Sequence, residues 1–432
     1  MKSHANDGAY QSTYAQVLKI PSFRSLWFGQ IFSQLAANTL LFVLALRVYQ
    51  STGSNTAVSG LFLAYGIPSM LFGLVAGTSV DRLDKRRVLI LCDFTRAVFV
   101  LGLLLMSQQI AVVYVLTFFN AIISQFYMPA EAPLIPKLVP KGLLVTANSL
   151  FSFTFYSSLA LGTVLAGPLL RWFGPQGIFI LISSLFLCAS ALSSRIPSQS
   201  VGTVGLRYLL QLRPGYLFAR IWFDLMDGIR YITGSRSLFD SIILLTGTQI
   251  IFALLATLGP GFADRVMGVD VRDASLLIVG PAVLGILLGV IWVGSVGYRY
   301  KPERLIQIGV NSAGWVLIAI ACSARLLRMP SFAWAYQRHF VFPVEMLLFF
   351  LLGASNSLLD VPANSILQQN AQGSMRGRVY GMLTAFVGGV GILPVVVGGL
   401  LADSIGIGKV ILVLGVGIVA YGTYRIRYNK VT

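Results

Sequence analysis

Long apolar runs recur along the whole chain of 432 residues, and each is about as long as a bilayer is thick. The hydrocarbon core of a membrane measures about 30 Å, so a spanning helix needs about 20 mostly apolar residues. The sequence contains twelve such runs. They are residues 25–48, 57–80, 86–107, 110–130, 145–169, 173–194, 238–262, 274–297, 303–323, 341–362, 378–402 and 407–424. We therefore predict an all-α membrane protein with twelve transmembrane helices.

The composition supports a membrane environment. Hydrophobic residues make up 56% of the chain and charged residues 11%, and the mean hydropathy is +0.79. Soluble domains carry about a quarter charged residues. The net charge of +17 is compatible with nucleic-acid binding, but the basic residues lie mainly in short links between apolar runs. We expect no nucleic-acid partner, and the three cysteines, which lack metal-site spacing, predict no metal.

The placement of lysine and arginine predicts the orientation. Cytoplasmic loops of membrane proteins are enriched in these residues. With both termini in the cytoplasm, 23 of the 32 basic residues lie on that side, 7 lie outside and 2 lie within spans. We therefore predict a multi-pass protein with both termini in the cytoplasm.

The spans divide into two halves of six. The predicted organisation is a cytoplasmic tail (1–24), a first half (25–194), a linker (195–237), a second half (238–424) and a second tail (425–432). Within the linker, residues 216–232 alternate apolar and charged side chains as an amphipathic helix would. The simplest interpretation is a connector between the halves.

Two local sequences occur in both halves. Gly77-x-x-x-Asp81-Arg82 follows the second span, and Gly294-x-x-x-Tyr298-Arg299 follows the eighth. A Pro-Ala pair also ends the fourth span, at residues 129–130, and the tenth, at residues 362–363. Internal duplication of this kind is typical of secondary transporters.

The segment 77–87 resembles the signature G-x-x-x-D-R-x-G-R-R/K of the major facilitator superfamily, although Asp84 occupies the second glycine position. Further short sequences resemble the drug:proton antiporter-3 branch, which includes macrolide-efflux proteins and the enterobactin exporter. These are Phe23-Arg24-Ser25-Leu26-Trp27, Asp93-Phe94-Thr95-Arg96-Ala97, Tyr127-Met128-Pro129-Ala130, Asp227-Gly228-Ile229-Arg230-Tyr231-Ile232 and Arg376-Gly377-Arg378-Val379-Tyr380-Gly381. The resemblance implies the twelve-helix major facilitator fold, location in a bacterial cytoplasmic membrane and export as the direction of transport.

Six residues are candidates for gating. The resemblance implies that Asp81 helps to close the cytoplasmic side, together with Gly77, Arg82 and Arg86; the alternative is a charge cluster that only sets topology. Asp93 and Arg96 lie three residues apart on one helix face, so they can pair and lower the cost of burying charge. Structural pairing and participation in ion movement both remain open for them.

Glu131 and Asp360, which end the fourth and tenth spans, are candidates for proton coupling. A carboxyl group whose pKa is raised by burial can bind and release a proton near neutral pH. The alternative is that both carboxylates face water and stay ionised. Many relatives in the branch carry an acidic residue in the first span, where this chain has Gln34 and Asn38.

Polar and aromatic side chains within spans are candidates for substrate binding. They are Gln34, Asn38, Asn120, Gln249, Asn356, Phe126 and Phe386, with Tyr127 as a further aromatic wall. Hydrogen bonding between helices explains such polar residues about as often, and aromatic residues in spans commonly pack or face lipid.

We predict a secondary transporter that exports amphipathic small molecules, such as drugs, macrolides or siderophores, by alternating access in exchange for protons. Two alternatives stay open, a lysophospholipid flippase and a non-transporting relative that assists membrane-complex assembly. The chain carries no Walker loop, GxSxG elbow or HExxH helix, so we predict no enzyme activity and no cofactor. The expected partners are the small-molecule substrate, protons and membrane lipids, and the expected state is a monomer.

Overall fold

The computed structural model describes residues 14–80, 83–106, 109–140, 143–198, 226, 230, 232–326, 338–370 and 392–429. Asp81, Arg82 and Phe386 lie outside the described residues. Nearly all of the predicted amphipathic helix at 216–232 does as well.

The described residues are helical apart from short connections. The long helices are α1 (Pro21–Thr52), α2 (Asn55–Val80), α3 (Lys85–Met106), α4 (Ile110–Glu131), α7 (Arg236–Phe262), α8 (Gly280–Val296), α9 (Pro302–Leu326), α10 (Arg338–Asn370), α11 (Ile392–Ile405) and α12 (Ile407–Asn429). The segment Leu144–Ser193 is helical on both sides of Gly174, and its two parts are called α5 and α6. Short helical turns occupy Ala132–Leu134, Ile135–Leu138, Ala263–Met267, Val271–Asp273, Ser275–Val279 and Gly297–Arg299.

The helices follow the apolar runs of the sequence, and the predicted all-α class is confirmed. Within the described residues, nine helices are both long and apolar enough to cross a membrane, with α5 and α6 counted together. The number of twelve membrane crossings stays a prediction. The connection between α5 and α6 is short because Gly174 has a φ of 68°, which only glycine adopts at little cost.

Residues 1–44 and 64–218 form one compact unit. In this unit α3 packs against α4 and α6. An apolar core of buried side chains, among them Phe23, Leu26, Leu89 and Phe151, fills the space near the beginnings of α1 and α3. This core supports the polar cluster described below.

Residues 45–63 and 219–432 form the second compact unit, so the end of α1 and the start of α2 group with α7–α12. Here α10 packs against α8 and α9. The backbones of α8 and α10 approach closely at Gly285 and Gly353, where any Cβ atom would collide with the facing helix. Close approach at small residues is how helices associate in lipid, where burial of apolar surface supplies little driving force.

Candidate functional site

A buried ion pair lies inside the first unit, on α3. Arg96 Nη1 is 3.5 Å from Asp93 Oδ1, and both side chains are almost completely inaccessible to solvent. Ser33 of α1 donates a hydrogen bond to Asp93 Oδ1 at 2.7 Å and accepts one from Arg96 Nη1 at 3.1 Å. The pairing that the i, i+3 spacing predicts is therefore present, and it is joined to α1.

Glu131 and Tyr127 of α4 extend this cluster. Both side chains are buried, and the charge of Glu131 is close enough to that of Asp93 to interact with it. The guanidinium of Arg96 lies 4.2 Å from the centre of the Phe186 ring and 5.9 Å from that of Tyr127. Aromatic faces stabilise a buried cation, so the cluster holds Arg96 from several sides.

Several polar atoms of this cluster have no hydrogen-bond partner within the described structure. They are Gln30 Oε1, Asp93 Oδ2, Arg96 Nε, Tyr127 OH and Glu131 Oε1. Buried polar groups are normally paired, so a group of unpaired atoms at one place distinguishes this cluster from the apolar core around it. We call Gln30, Ser33, Asp93, Arg96, Tyr127 and Glu131 the α3 cluster.

The loop before α3 is tied to the end of α6. Asp84 accepts a hydrogen bond from the backbone N–H of Arg86 at 3.1 Å and one from Ser198 at 3.3 Å, and it pairs with Arg87 at 3.6 Å. Arg86 Nη2 donates to the backbone carbonyl of Ser194. Asp84 thus caps α3, a role that the glycine usual at this position could not fill.

Asp360 of α10 belongs to the second unit, whereas the α3 cluster belongs to the first. Its side chain is partly buried and accepts a hydrogen bond from Asn364 at 3.1 Å. Asn356, one turn earlier, is also partly buried. The two residues share a face of α10, as the sequence spacing predicts.

The candidate substrate residues occupy different environments. Asn120 is buried on α4, and Gln34, Asn38 and Phe126 are partly buried. Asn38 packs against the backbone of α5 at Gly162, which favours a packing role for it. Gln249 is exposed on the surface of its unit. No common pocket of these residues is observed within the described part of either unit.

Sequence reasoning missed Glu345, a fully buried carboxyl group on α10. Ser323 of α9 lies 2.7 Å from Glu345 Oε1, and Oε2 has no hydrogen-bond partner within the described structure. The signal was present in the sequence, because Glu345 is an isolated acidic residue in the apolar run of residues 341–362.

Sequence reasoning also missed a polar cluster in which Asp403, just after the predicted span 378–402, meets the start of α2. Asp403 accepts hydrogen bonds from the backbone N–H groups of Asn55 (3.1 Å) and Thr56 (2.9 Å) and from the Ser54 hydroxyl (2.6 Å). Burial alone would raise the pKa of Asp403, but these hydrogen bonds outweigh it and hold the pKa below the ordinary value of 3.8. Arg265 pairs with Asp403 at 3.4 Å and donates to the Gly53 carbonyl.

The chemistry available to these sites is that of protons and charged groups. Among the described residues, no group of three or more His, Cys, Asp or Glu side chains is arranged to hold a metal ion. The α3 cluster and Glu345 contain buried carboxyl groups.

Solved structures of transporters share the fold at low sequence identity. The nucleoside transporter NupG aligns with a TM-score of 0.71 at 11% identity, covering 94% of this chain and 98% of that one. The POT family transporter PepTSo aligns with a TM-score of 0.71 at 14% identity, covering 95% and 98%. These similarities support the fold alone.

Sequence relatives cover nearly the whole chain. The MFS-type transporter YfiS of Bacillus subtilis is 23% identical over 91% of this chain and 89% of its own length. Macrolide efflux protein A of Streptococcus pyogenes is 23% identical over 91% and 92%. The multidrug efflux pump Tap of Mycolicibacterium fortuitum is 20% identical over 88% of each chain.

The family comparison agrees with the relatives and with the fold. Residues 26–394 match the Major Facilitator Superfamily. The predicted resemblance is confirmed, and so is the prediction that the protein is not an enzyme, because the members of this family are transporters. The chain is a multi-pass membrane transporter that belongs to the Major Facilitator Superfamily.

Proposed function

We propose that this protein exports amphipathic small molecules in exchange for protons, and that the α3 cluster carries one of the exchanged protons. The observation that carries this proposal is the arrangement of two buried carboxyl groups, Asp93 and Glu131, beside the guanidinium of Arg96. Named relatives that pump drugs and macrolides outward support the direction of transport.

The charges of the cluster explain why a proton is needed. An isolated charge buried in a low-dielectric interior costs several kcal/mol, so a carboxylate there is either paired with a cation or protonated. Asp93 has its cation in Arg96 and accepts the Ser33 hydrogen bond, as an ionised carboxylate does. Glu131 has no such partner within the described residues, so the proton of the cluster resides on Glu131.

This assignment supports Glu131 as a coupling residue. Asp360, the other candidate, is only partly buried and accepts a hydrogen bond from Asn364. Asp360 stays a candidate, but its surroundings favour the protonated form less strongly than those of Glu131 do. In this proposal Asp93 and Arg96 keep their charges while Glu131 gains and loses its proton.

We further propose location in a bacterial cytoplasmic membrane with both termini in the cytoplasm, as the basic residues indicate. In that orientation Glu131 lies at the cytoplasmic end of α4, while Asp403 and Glu345 lie toward the outside. The transported molecule is proposed to be amphipathic, by analogy with the drug and macrolide pumps among the relatives.

The experiment measures retention of fluorescent dyes, macrolides and siderophores in efflux-deficient cells that express the protein, with and without a protonophore. The wild type should lower retention of at least one class, and the protonophore should abolish the effect. The variant Glu131→Gln keeps the shape of the side chain without its exchangeable proton. It should lose proton-driven export but retain substrate counterflow, which needs no net proton movement.

The matched control is Glu303→Gln, which removes an exposed carboxylate at the start of α9. It should export like the wild type. Proton-driven export by Glu131→Gln at the wild-type rate would refute the role of Glu131. Unchanged retention of every compound by the wild type, with the protein confirmed in the membrane, would favour a lipid flippase or an assembly role.

A further inference from the structure

Glu345 of α10, which is buried, and Ser323 of α9, which is partly buried, form a polar pair in the second unit. Glu345 is completely inaccessible to solvent. Its neighbours on α10, Val344, Met346 and Leu347, are exposed apolar side chains, as on a lipid-facing surface. The pair is thus polar, whereas the neighbouring side chains on α10 are apolar. It belongs to the second unit and the α3 cluster to the first.

The hydrogen bonds of Ser323 indicate where the protons are. Ser323 Oγ lies 2.8 Å from the carbonyl oxygen of Ile320 and 2.7 Å from Glu345 Oε1, and both distances are those of hydrogen bonds. A hydroxyl group has one hydrogen to donate, and a carbonyl oxygen has none. The Ser323 hydroxyl can donate to only one of these two oxygens at full strength, and if it donates to Ile320, a protonated carboxyl group supplies the hydrogen for the other contact.

Protonated Glu345 therefore satisfies both contacts at once, because its O–H donates to Ser323 and Ser323 donates to Ile320. With ionised Glu345, the single Ser323 hydrogen would be shared between two acceptors, as that of Ser59 is between the carbonyl oxygens of Asn55 and Val395. The contrast with Ser33 is informative: that hydroxyl donates to Asp93 and accepts from Arg96, so it needs no carboxyl proton.

The charged residues of the helices that pack against α10 lie near the ends of those helices. α8 contains no ionisable side chain, and α7 carries its charged residues, Arg236 and Asp240, in its first turns. On α9, Ser323 is the polar group that interacts with Glu345 within the described structure. The side chains of Arg325 and Arg338 are outside the described part of the chain.

We propose that Glu345 is a second protonation site of the transport cycle, which takes up a proton from the outside, holds it in the conformation seen here and releases it later in the cycle. This inference rests on the proposed proton-coupled export. The proton passes from Glu345 to water that reaches the carboxyl group. The Ser323 hydroxyl then turns from the Ile320 carbonyl to the carboxylate it faces, so the net change is one proton moved to the solvent.

The first test is direct and independent of transport. Infrared spectra of the purified protein in lipid bilayers at neutral pH should show the carbonyl stretch of a protonated carboxyl group. That band should lose intensity in Glu345→Gln, and its frequency should shift in Ser323→Ala, which removes the hydrogen-bond acceptor. Glu303→Gln should leave the band unchanged. Identical spectra for the folded wild type and Glu345→Gln would overturn the inference.

The second test links the proton to transport. If the site couples export to protons, Glu345→Gln should lose protonophore-sensitive export while substrate counterflow remains. Protonophore-sensitive export at the wild-type rate in Glu345→Gln would overturn the role of Glu345 but leave the proposed function standing. Insensitivity of wild-type export to the protonophore would instead overturn the proposed function itself, and with it any coupling role for Glu345.

Discussion

The variant Asp403→Asn tests how α2 is held at its first turn. The first N–H groups of a helix have no partner within the helix. In α2 the N–H groups of Asn55 and Thr56 donate to Asp403, and that of Ala57 donates to the Ser54 hydroxyl at 3.3 Å. The hydroxyl groups of Ser54 and Thr56 also donate to Asp403. One carboxylate therefore accepts hydrogen bonds from most of the polar groups in this first turn.

The expected magnitude follows from these bonds. Asparagine keeps one acceptor oxygen and replaces the other with an NH₂ group, which cannot accept. If the amide oxygen takes the place of Asp403 Oδ1, the bonds from Ser54 and Thr56 to Oδ2 are lost. Hydrogen bonds to a charged group contribute about 1.5–3 kcal/mol each, and water compensates part of this loss because Asp403 is partly exposed. We expect the free energy of local opening to fall by about 2 kcal/mol, which corresponds to roughly 30-fold.

Hydrogen–deuterium exchange read by mass spectrometry measures this opening. The peptide that contains residues 53–58 should exchange roughly 30-fold faster in Asp403→Asn than in the wild type. The matched control is Asp270→Asn, because Asp270 accepts a local hydrogen bond from the N–H of Arg272 and touches no residue of α2 in the described structure. Equal exchange of this peptide in the wild type and Asp403→Asn would show that Asp403 does not hold α2.

The pH dependence of this contribution has a definite sign. Because the pKa of Asp403 lies below its ordinary value of 3.8 in the folded protein, the stabilisation is fully present above that ordinary value. It is lost as the pH falls through the folded-state pKa. After correction for intrinsic exchange rates, the difference between wild type and Asp403→Asn should therefore stay constant from about pH 5 to 8. A steady decline of the difference across that range would contradict the assignment.

Two further variants test packing and charge inside the membrane. Gly353→Ala places a methyl group against the carbonyl of Ala282 on the facing helix, so we expect a loss of about 1–3 kcal/mol in thermal unfolding experiments. Gly247→Ala, where no atom lies within 4 Å, should not destabilise, and equal effects of the two would contradict the packing argument. Arg96→Ala leaves Asp93 buried without its cation and should cost about 3–5 kcal/mol. Adding Asp93→Asn to that variant should recover part of the loss, and no recovery would argue against the ion pair.

The sequence predicted the helices well because the bilayer imposes a length and a composition on each of them. The predicted spans 57–80 and 407–424, for example, lie within α2 and α12. The division of the chain was harder to predict. Residues 45–63 group with the second unit, although they lie within the first six spans. That grouping depends on Asp403 and Arg265, more than 200 residues away in sequence, and no local pattern reveals it.

The α3 cluster was partly predictable from the sequence. The pairing of Asp93 with Arg96 follows from helix geometry, since residues three apart share a face. The burial of Glu131 and the contribution of Ser33 depend on how α1 and α4 pack against α3. A span-ending glutamate and a serine in an apolar helix are both common, so neither signals such a site by itself. Glu345 could have been recognised, because an isolated carboxyl group within a span is costly.

The two serine–carboxyl pairs differ in the charge that lies beside each carboxyl group. Ser33 lies 2.7 Å from Asp93 and Ser323 lies 2.7 Å from Glu345, so the local geometry is the same. Arg96 supplies the balancing charge for Asp93, whereas the contact of Glu345 in the described structure is with Ser323, a neutral side chain. In the proposed function, the exchangeable protons belong to Glu131 and Glu345, one in each unit, and Asp93, paired with Arg96, places a negative charge near Glu131.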